Sequence, residues 1–252
     1  MMRRLFPGAG GSEDVALDDD ALAETYRVPP GRFVRVNFVA SLDGAVTVDG
    51  RSEGLGSPGD RRVFRLLRAL ADVVLVGHGT AAGEGYRPVT AASPVGRLRG
   101  ALGRTPVMPV AVVSRRASLD PRGDLVTGAA ARTLLVTCAA ADADRRTALA
   151  AAGAEVLVCG DDDVDLPAAL DALADRGLGQ VVCEGGPQLL RGALTAGVVD
   201  ELALSVSPAL VGGQARLLDG ALPEPARLQL RQVLEEDGML FTRYAVGDAT
   251  LG

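Results

Sequence analysis

Between Arg32 and Ala196 this chain alternates short apolar runs with helical segments, and beyond Ala196 it offers only strand-like runs. That order constrains the fold more than any other feature. Strands separated by helices lie parallel, and the helices then cover both faces of the sheet. The predicted strands are Phe33–Ala40, Val73–Val76, Val107–Ser114, Thr133–Thr137, Glu155–Val158 and Gln180–Cys183. The predicted helices are Pro58–Ala71, Asp142–Ala152, Leu166–Arg176 and Pro187–Ala196. Ser57-Pro58 marks a helix start, a capping hydroxyl followed by proline at the first helical position. Strands Glu201–Val206, Arg227–Leu234 and Leu240–Ala245 then follow without helices, the last two joined by the acidic turn Glu235–Gly238, which suits a hairpin. The expectation is an α/β fold: a mainly parallel central sheet flanked by helices, with an antiparallel C-terminal edge. Arg87–Pro106 reads as a loop. Residues 1–31, with Asp18 to Asp20, Gly8, Gly10, Gly11 and Pro29-Pro30, read as an irregular leader with room for one short helix. No internal repeat or central linker divides residues 32–247, which are expected to form a single domain.

Composition removes several kinds of chemistry. The chain has 252 residues, 48% of them hydrophobic, enough for a substantial core and too many for a disordered chain. No apolar run approaches the roughly 20 residues of a membrane helix. Two arginines near the start have no apolar stretch behind them, so no secretory signal is read there and the expected compartment is the cytoplasm. A net charge of −6 argues against nucleic acid as partner. Every basic residue is an arginine, since the chain contains no lysine. A P-loop lysine and a lysine Schiff base are therefore excluded. His78 is the only histidine, which excludes histidine triads and multi-histidine metal sites within one chain. Cys138, Cys159 and Cys183 lie far apart in apolar runs and read as small buried thiols, with no metal site expected. What remains is chemistry that a cofactor carries and the protein positions.

Five segments could position it. Val36–Gly44 is a strand running into Ser41-Leu42-Asp43-Gly44, and the carboxyl end of a strand is where α/β sheets bind ligands. Asn37, polar within that strand, is either a satisfied amide or a donor and acceptor aimed into a cleft. Gly77–Glu84 follows a buried strand but has G-x-G-x-x-x-G spacing, so it fails the dinucleotide fingerprint and also reads as a tight glycine turn holding His78. Glu184-Gly185-Gly186-Pro187 joins a buried strand to a helix, and its backbone amides would make an anion site suited to a pyrophosphate. Arg61, Arg65 and Arg68 share one helix face, either solvated or bordering a cleft where the last could clamp a phosphate. Ser114-Arg115-Arg116 ends another strand and is either a surface turn or a holder for the 2′-phosphate of NADPH.

In order and spacing these segments resemble the reductase domain of the bifunctional deaminase-reductase of riboflavin biosynthesis. The resemblance runs from about Arg32 to Tyr244, carried by Ala40–Gly44, Ser57-Pro58, Val76–Thr80, Glu184–Pro187, Val199–Leu202, Pro208 and Gly212-Gly213. It implies a dihydrofolate-reductase-like fold, a homodimer, and reduction by NADPH of 5-amino-6-(5-phosphoribosylamino)uracil, a phosphorylated pyrimidine, with hydride delivered to ribose C1. By position, Asn37, Ser52, Arg68 and Glu184 resemble the family's substrate contacts. Ala40, Asp43, Thr80, Glu84, Ser114, Arg115, Glu184, Gly185, Gly186 and Pro187 resemble its NADPH contacts, and Asn37 and Glu84 would orient the reacting ends. The run Gly83–Pro88 departs from the family's usual two aspartates and proline, where part of the substrate's phosphate pocket is normally built. The zinc-deaminase signatures H-x-E and P-C-x-x-C are absent from this sequence.

Three other readings stay open from the residues. One is a dihydrofolate-like or other heterocycle reductase on the same fold, for which Asp60 is the candidate cleft carboxylate. Another is a non-catalytic NADPH-binding regulatory module. The third is an ordinary Rossmann dehydrogenase, whose fingerprint is missing.

Overall fold

In the computed structural model, which describes residues 1–7, 16–213 and 215–247, ten strands form one sheet. Its parallel part is built from β2 (Phe33–Ser41), β3 (Val73–Gly77), β4 (Val110–Val113), β5 (Leu134–Thr137), β6 (Glu155–Val158), β7 (Gln180–Cys183) and β8 (Glu201–Ser207). With β1 (Arg3–Phe6), β9 (Leu228–Glu236) and β10 (Met239–Val246) added, the order is β1-β9-β10-β8-β2-β7-β3-β4-β5-β6. Pairing is parallel from β8 through to β6 and antiparallel among β8, β10, β9 and β1. The expected parallel sheet with an antiparallel C-terminal edge is therefore present. The β9–β10 hairpin turns at Asp237-Gly238, whose φ values of 52° and 79° are those of a two-residue turn matched to strand twist.

Helices cover both faces. α1 (Asp19–Tyr26), α2 (Pro58–Leu70) and α4 (Pro94–Ala101) pack on one side. α7 (Leu166–Ala174) and α8 (Pro187–Thr195) pack on the other. Alternation divides the strands cleanly: Val74, Val76 and Val182 join the first core, while Val34, Val36, Leu75 and Cys183 join the second. α6 (Ala143–Ala151) seals a smaller cluster around Leu135 and Leu149. α3 (His78–Gly83) and α5 (Asp124–Thr127) are short. The Ser57 hydroxyl caps α2 by accepting from the Asp60 amide at 3.1 Å, as its sequence predicts. All three cysteines are buried and free. No helix among the described residues is long and apolar enough to cross a membrane.

Three expectations are corrected. Residues 1–31 hold the one short helix expected, α1, but are otherwise not an irregular leader throughout: β1 extends the sheet, and Met2, Leu22 and Tyr26 lie in the first core. The fastening comes from far away. Arg35 Nη2 donates to the Tyr26 carbonyl at 2.9 Å, and Arg243 Nη1 donates to the Thr25 carbonyl. Both arginines pair with the buried Glu201, and no local pattern announces that. Gly8, Gly10 and Gly11 lie outside the described residues. The second correction is α4, within the stretch read as a loop. Ser93 and Pro94 start it, but Gly96 and Gly100 weaken its helical signal. Gly96 is there for packing, because a Cβ would come within 2.8 Å of the Pro106 carbonyl oxygen and closer still to that of Thr90. The third is the Gly77–Glu84 run, which forms α3 where a tight glycine turn was one of the readings.

Candidate active site

The carboxyl ends of β2, β7 and β3 form the centre of the site, and glycine lets them meet. Gly77 N–H donates to the Gly185 carbonyl at 2.6 Å, joining the exit of β3 to the exit of β7. Gly185 has φ +74°, and a Cβ there would lie within 2.8 Å of Phe38 Cε2 and nearer to Cζ. A Cβ on Gly186 would lie 2.6 Å from Thr80 Oγ1. Each contact needs backbone to approach a neighbour that a side chain would displace. α8 begins here with Gly186 as its N-cap and Pro187 in its first turn, and no side chain caps it. Its first amides are left for a ligand, with the helix dipole behind them.

A cleft of about 1000 Å³ opens from this junction, within the range of small-molecule sites. His78, Thr80, Ser114, Arg115, Gly186 and Pro187 are among its walls. Five residues expected to touch a coenzyme are thus gathered: Thr80, Ser114, Arg115, Gly186 and Pro187. Ser114 is buried, and its Oγ accepts from the Ser118 amide at 2.9 Å, shaping the turn that presents Arg115 and Arg116. Beside the cleft a second depression of about 500 Å³ is lined by those two arginines, Arg145, Asp142 and Asp162. Asp142 already accepts from the Arg145 amide at 3.0 Å as the cap of α6, and none of the three arginines has an ion pair among the described residues.

On the α2 side of the same rim, β2 and β7 run in register through Val36 and Cys183, which puts Asn37 next to Glu184 on one face. Asn37 is half-buried and its side chain makes no hydrogen bond among the described residues, so its amide is available to a ligand. Glu184 is engaged. Arg68 Nε and Nη2 each donate to it at 2.7 Å, and the Tyr86 hydroxyl donates to its Oε2 at 2.5 Å. The Arg68 and Glu184 side chains are 12% and 3% exposed, and the guanidinium lies between the rings of Phe64 and Tyr86 at 4.3 and 4.9 Å. Burial pushes the Tyr86 hydroxyl well above its ordinary pKa, and the Glu184 charge adds to this. Arg68, expected to clamp a substrate phosphate, here grips Glu184 with Nε and Nη2, and the buried carboxylate is the partner its charge requires. Arg61 and Arg65, on the same helix, are exposed.

The remaining expected residues have structural partners. The Ser52 amide donates to Glu84 Oε1 at 2.8 Å, so these two are neighbours, with Glu84 holding the turn that Ser52 begins. Ala40 is buried within β2 and Glu184 and Gly185 are buried beneath the rim, so none of the three lines the cleft. Asp60 is largely buried on α2; burial raises its pKa while a hydrogen bond with Ser205 opposes the rise. Asp43 is a staple. It accepts from the Ser41 hydroxyl at 2.5 Å, the Val211 amide at 3.1 Å and the Gly212 amide at 2.7 Å. Those bonds, the Ser41 bond foremost, lower its pKa to about 2. The folded value lies below the ordinary one, so the staple is complete above the usual carboxylate range and is lost as pH falls towards 2. In Asp43→Ala the Val211 and Gly212 amides are expected to lose hydrogen-exchange protection at neutral pH while strands β2 and β8 keep theirs, which exchange measured by NMR checks.

Two contributors escaped the sequence. Tyr86 is a lone aromatic in a glycine-rich turn, and only the fold brings it to Glu184. Arg145 carries no motif, although the Asp142 cap fixes the helix that presents it.

This arrangement has relatives. Residues 32–238 match the family described as RibD C-terminal domain. A protein of Methanothermobacter thermautotrophicus named 2,5-diamino-6-ribosylamino-4(3H)-pyrimidinone 5′-phosphate reductase is 33% identical over 85% of this chain and 98% of its own length. Its namesake from Archaeoglobus fulgidus is 29% identical over 72% of this chain and 83% of its own. Among solved structures, a pyrimidine reductase-like protein of Corynebacterium diphtheriae superposes with a TM-score of 0.74 at 29% identity, covering 86% of this chain and 92% of that one. The fold is also shared with a deaminase/reductase of Thermotoga maritima, at a TM-score of 0.66 and 17% identity over 86% of this chain and 57% of that one. The match spans the glycine junction, the cleft and the Asn37–Glu184 rim alike, and so the chain belongs to the RibD C-terminal domain family.

Proposed function

We propose that this chain is an NADPH-dependent oxidoreductase that reduces the phosphoribosylamino side chain of a riboflavin precursor to a ribityl chain. The observation that carries this reading is the junction of Gly77, Gly185 and Gly186, whose side-chain-free backbone opens a cleft at the uncapped start of α8. That cradle fits a diphosphate, which needs backbone amides, close approach and a helix dipole. Arg115, Arg116 and Arg145, without an ion pair among the described residues, suit an additional phosphate and so favour NADPH over NADH. The bound coenzyme supplies the hydride. The chain's own residues align it: Thr80, Gly186 and Pro187 border the diphosphate end, and Asn37 meets the substrate on the adjoining rim with Glu184 behind it. Arg68 and Tyr86 hold Glu184 in one orientation, which keeps that rim preorganised. Asn37, a donor and an acceptor, is placed to fix the amino-sugar linkage whose carbon is reduced.

The two archaeal relatives are named for a diaminopyrimidinone, whereas the sequence resemblance implied the corresponding uracil. Both substrates carry the same phosphorylated side chain, so both belong in the test. Calorimetry is expected to show NADPH uptake, and absorbance at 340 nm to show its oxidation with one or both substrates. Failure to bind NADPH overturns the reading, and binding without oxidation of either substrate reduces the chain to a coenzyme-binding module. Arg115→Ala and Arg116→Ala are each expected to raise KM for NADPH roughly tenfold to hundredfold, the value of a charge-assisted hydrogen bond, with KM for NADH unchanged. Equal losses for both coenzymes would remove these arginines from the 2′-phosphate. The reading carries a cytoplasmic homodimer with it, and light scattering on the purified chain checks the dimer.

A further inference from the structure

At the end of the sheet opposite the cleft, where β2 and β7 begin, lies a cavity of about 190 Å³. Arg35 and Arg104 stand in its wall beside the apolar Phe33, Leu70 and Val182. The guanidinium groups there are only partly satisfied. Arg35, with a side chain 6% exposed, gives Nε to Glu201 and Nη2 to the Tyr26 carbonyl, and its Nη1 has no hydrogen-bond partner among the described residues. Arg104 gives Nη2 to Asp72 and the Ala71 carbonyl, and its Nε is buried without a partner. Charge is unbalanced as well. Glu201 is shared by Arg35 and Arg243. Arg99, buried nearby, has no ion pair among the described residues and donates to the carbonyls of Thr105 and Ala71. Four guanidinium groups thus meet two carboxylates, Glu201 and Asp72. Burial lowers the Arg35 pKa, opposed by Glu201 and reinforced by Arg243. Burial, with Arg104 nearby, lowers that of Arg99 to about 10.

We propose that this cavity binds a compact carboxylate with a flat apolar body, of the size of benzoate. The carboxylate lies against Arg35 Nη1 and the Arg104 guanidinium, and the ring lies against Phe33, Leu70 and Val182. An apolar cavity of about 150 Å³ admits benzene, so this one has room for one ring and its acid group. The anion supplies the acceptor that Arg35 lacks and offsets the excess positive charge. Inorganic phosphate would satisfy the arginines but leave the apolar wall unfilled. The inference does not depend on the coenzyme reading, since the two sites lie at opposite ends of the parallel strands.

The test titrates the full chain with benzoate, benzamide and inorganic phosphate by calorimetry, and soaks its crystals with 4-iodobenzoate. Benzoate is expected to bind and benzamide not to, with the iodine anomalous peak in this cavity. Arg104→Gln is expected to weaken benzoate about tenfold or more while leaving NADPH uptake as in the parent chain. Should that variant fail to fold, the soak of the parent chain decides. No benzoate binding, equal binding of benzamide, phosphate binding in place of benzoate, or an iodine peak elsewhere overturns the proposal.

Discussion

Gly185→Ala is expected to destabilise the protein by about 2–5 kcal/mol and to weaken NADPH binding on the order of hundredfold. Two penalties combine. Alanine at φ +74° occupies left-handed backbone, and its methyl group would enter the space of the Phe38 ring. Phe38 sits on β2 against the second core and cannot retreat without opening it. The Gly185 carbonyl also receives the Gly77 amide, so displacing the turn moves the start of α3 and the first amides of α8 together. Gly83→Ala is the control: it lies in α3 and a Cβ there meets nothing within 4 Å, so affinity is expected to stay as it is and stability to hold or rise by up to about 1 kcal/mol. Urea denaturation and calorimetry on both variants provide the measurements. Parent-like affinity in a folded Gly185→Ala protein would remove the glycine junction from the coenzyme site.

The second large effect concerns Arg68. Arg68→Met keeps an unbranched chain between the Phe64 and Tyr86 rings but leaves Glu184, 3% exposed, with only the Tyr86 hydroxyl. An uncompensated buried carboxylate costs about 3–5 kcal/mol, which for a chain of this size lowers Tm by roughly 6–20 °C. The loss is expected without coenzyme or substrate present, which separates it from the loss of a phosphate clamp. The double variant Arg68→Met/Glu184→Gln is expected to recover much of the stability, because both charges are removed, yet little of the activity, because the rim has lost its fixed carboxylate. Thermal melts of the single and double variants check the first part, and steady-state rates the second. A single variant as stable as the parent would show that the pair contributes nothing to the fold.

What the sequence made legible were local patterns with one physical solution. Ser57-Pro58 could hardly mean anything but a helix start, and Asp237-Gly238 between two strand-like runs had to be a tight turn. The Glu184–Pro187 junction was readable because glycine pairs between a strand and a proline-led helix have few other uses. Partnerships across the chain were not readable. Arg68 looked like a free cation until β7 placed Glu184 beside it, 116 residues later in the sequence. Glu84 and Asp43 looked like ligand contacts, and the fold assigns them backbone amides to hold. The helices α3 and α4 were hidden by their glycines, which lower intrinsic propensity, and at Gly96 of α4 close packing demands one.

Strand order has a bearing on biosynthesis. β7 occupies the slot between β2 and β3, although it is made about a hundred residues after β3. While the chain emerges from the ribosome, two apolar strands therefore wait with unpaired edges, and neither can close upon the other in the native order. Such open edges invite pairing with other molecules, and non-local pairing is slow. The nascent protein is consequently most vulnerable to aggregation until the segment around Val181 and Val182 arrives. Since that same segment leads directly into Glu184 and the glycine turn, closing the gap between β2 and β3 and building the site belong to one late step, after which the other edge of β2 still waits for β8.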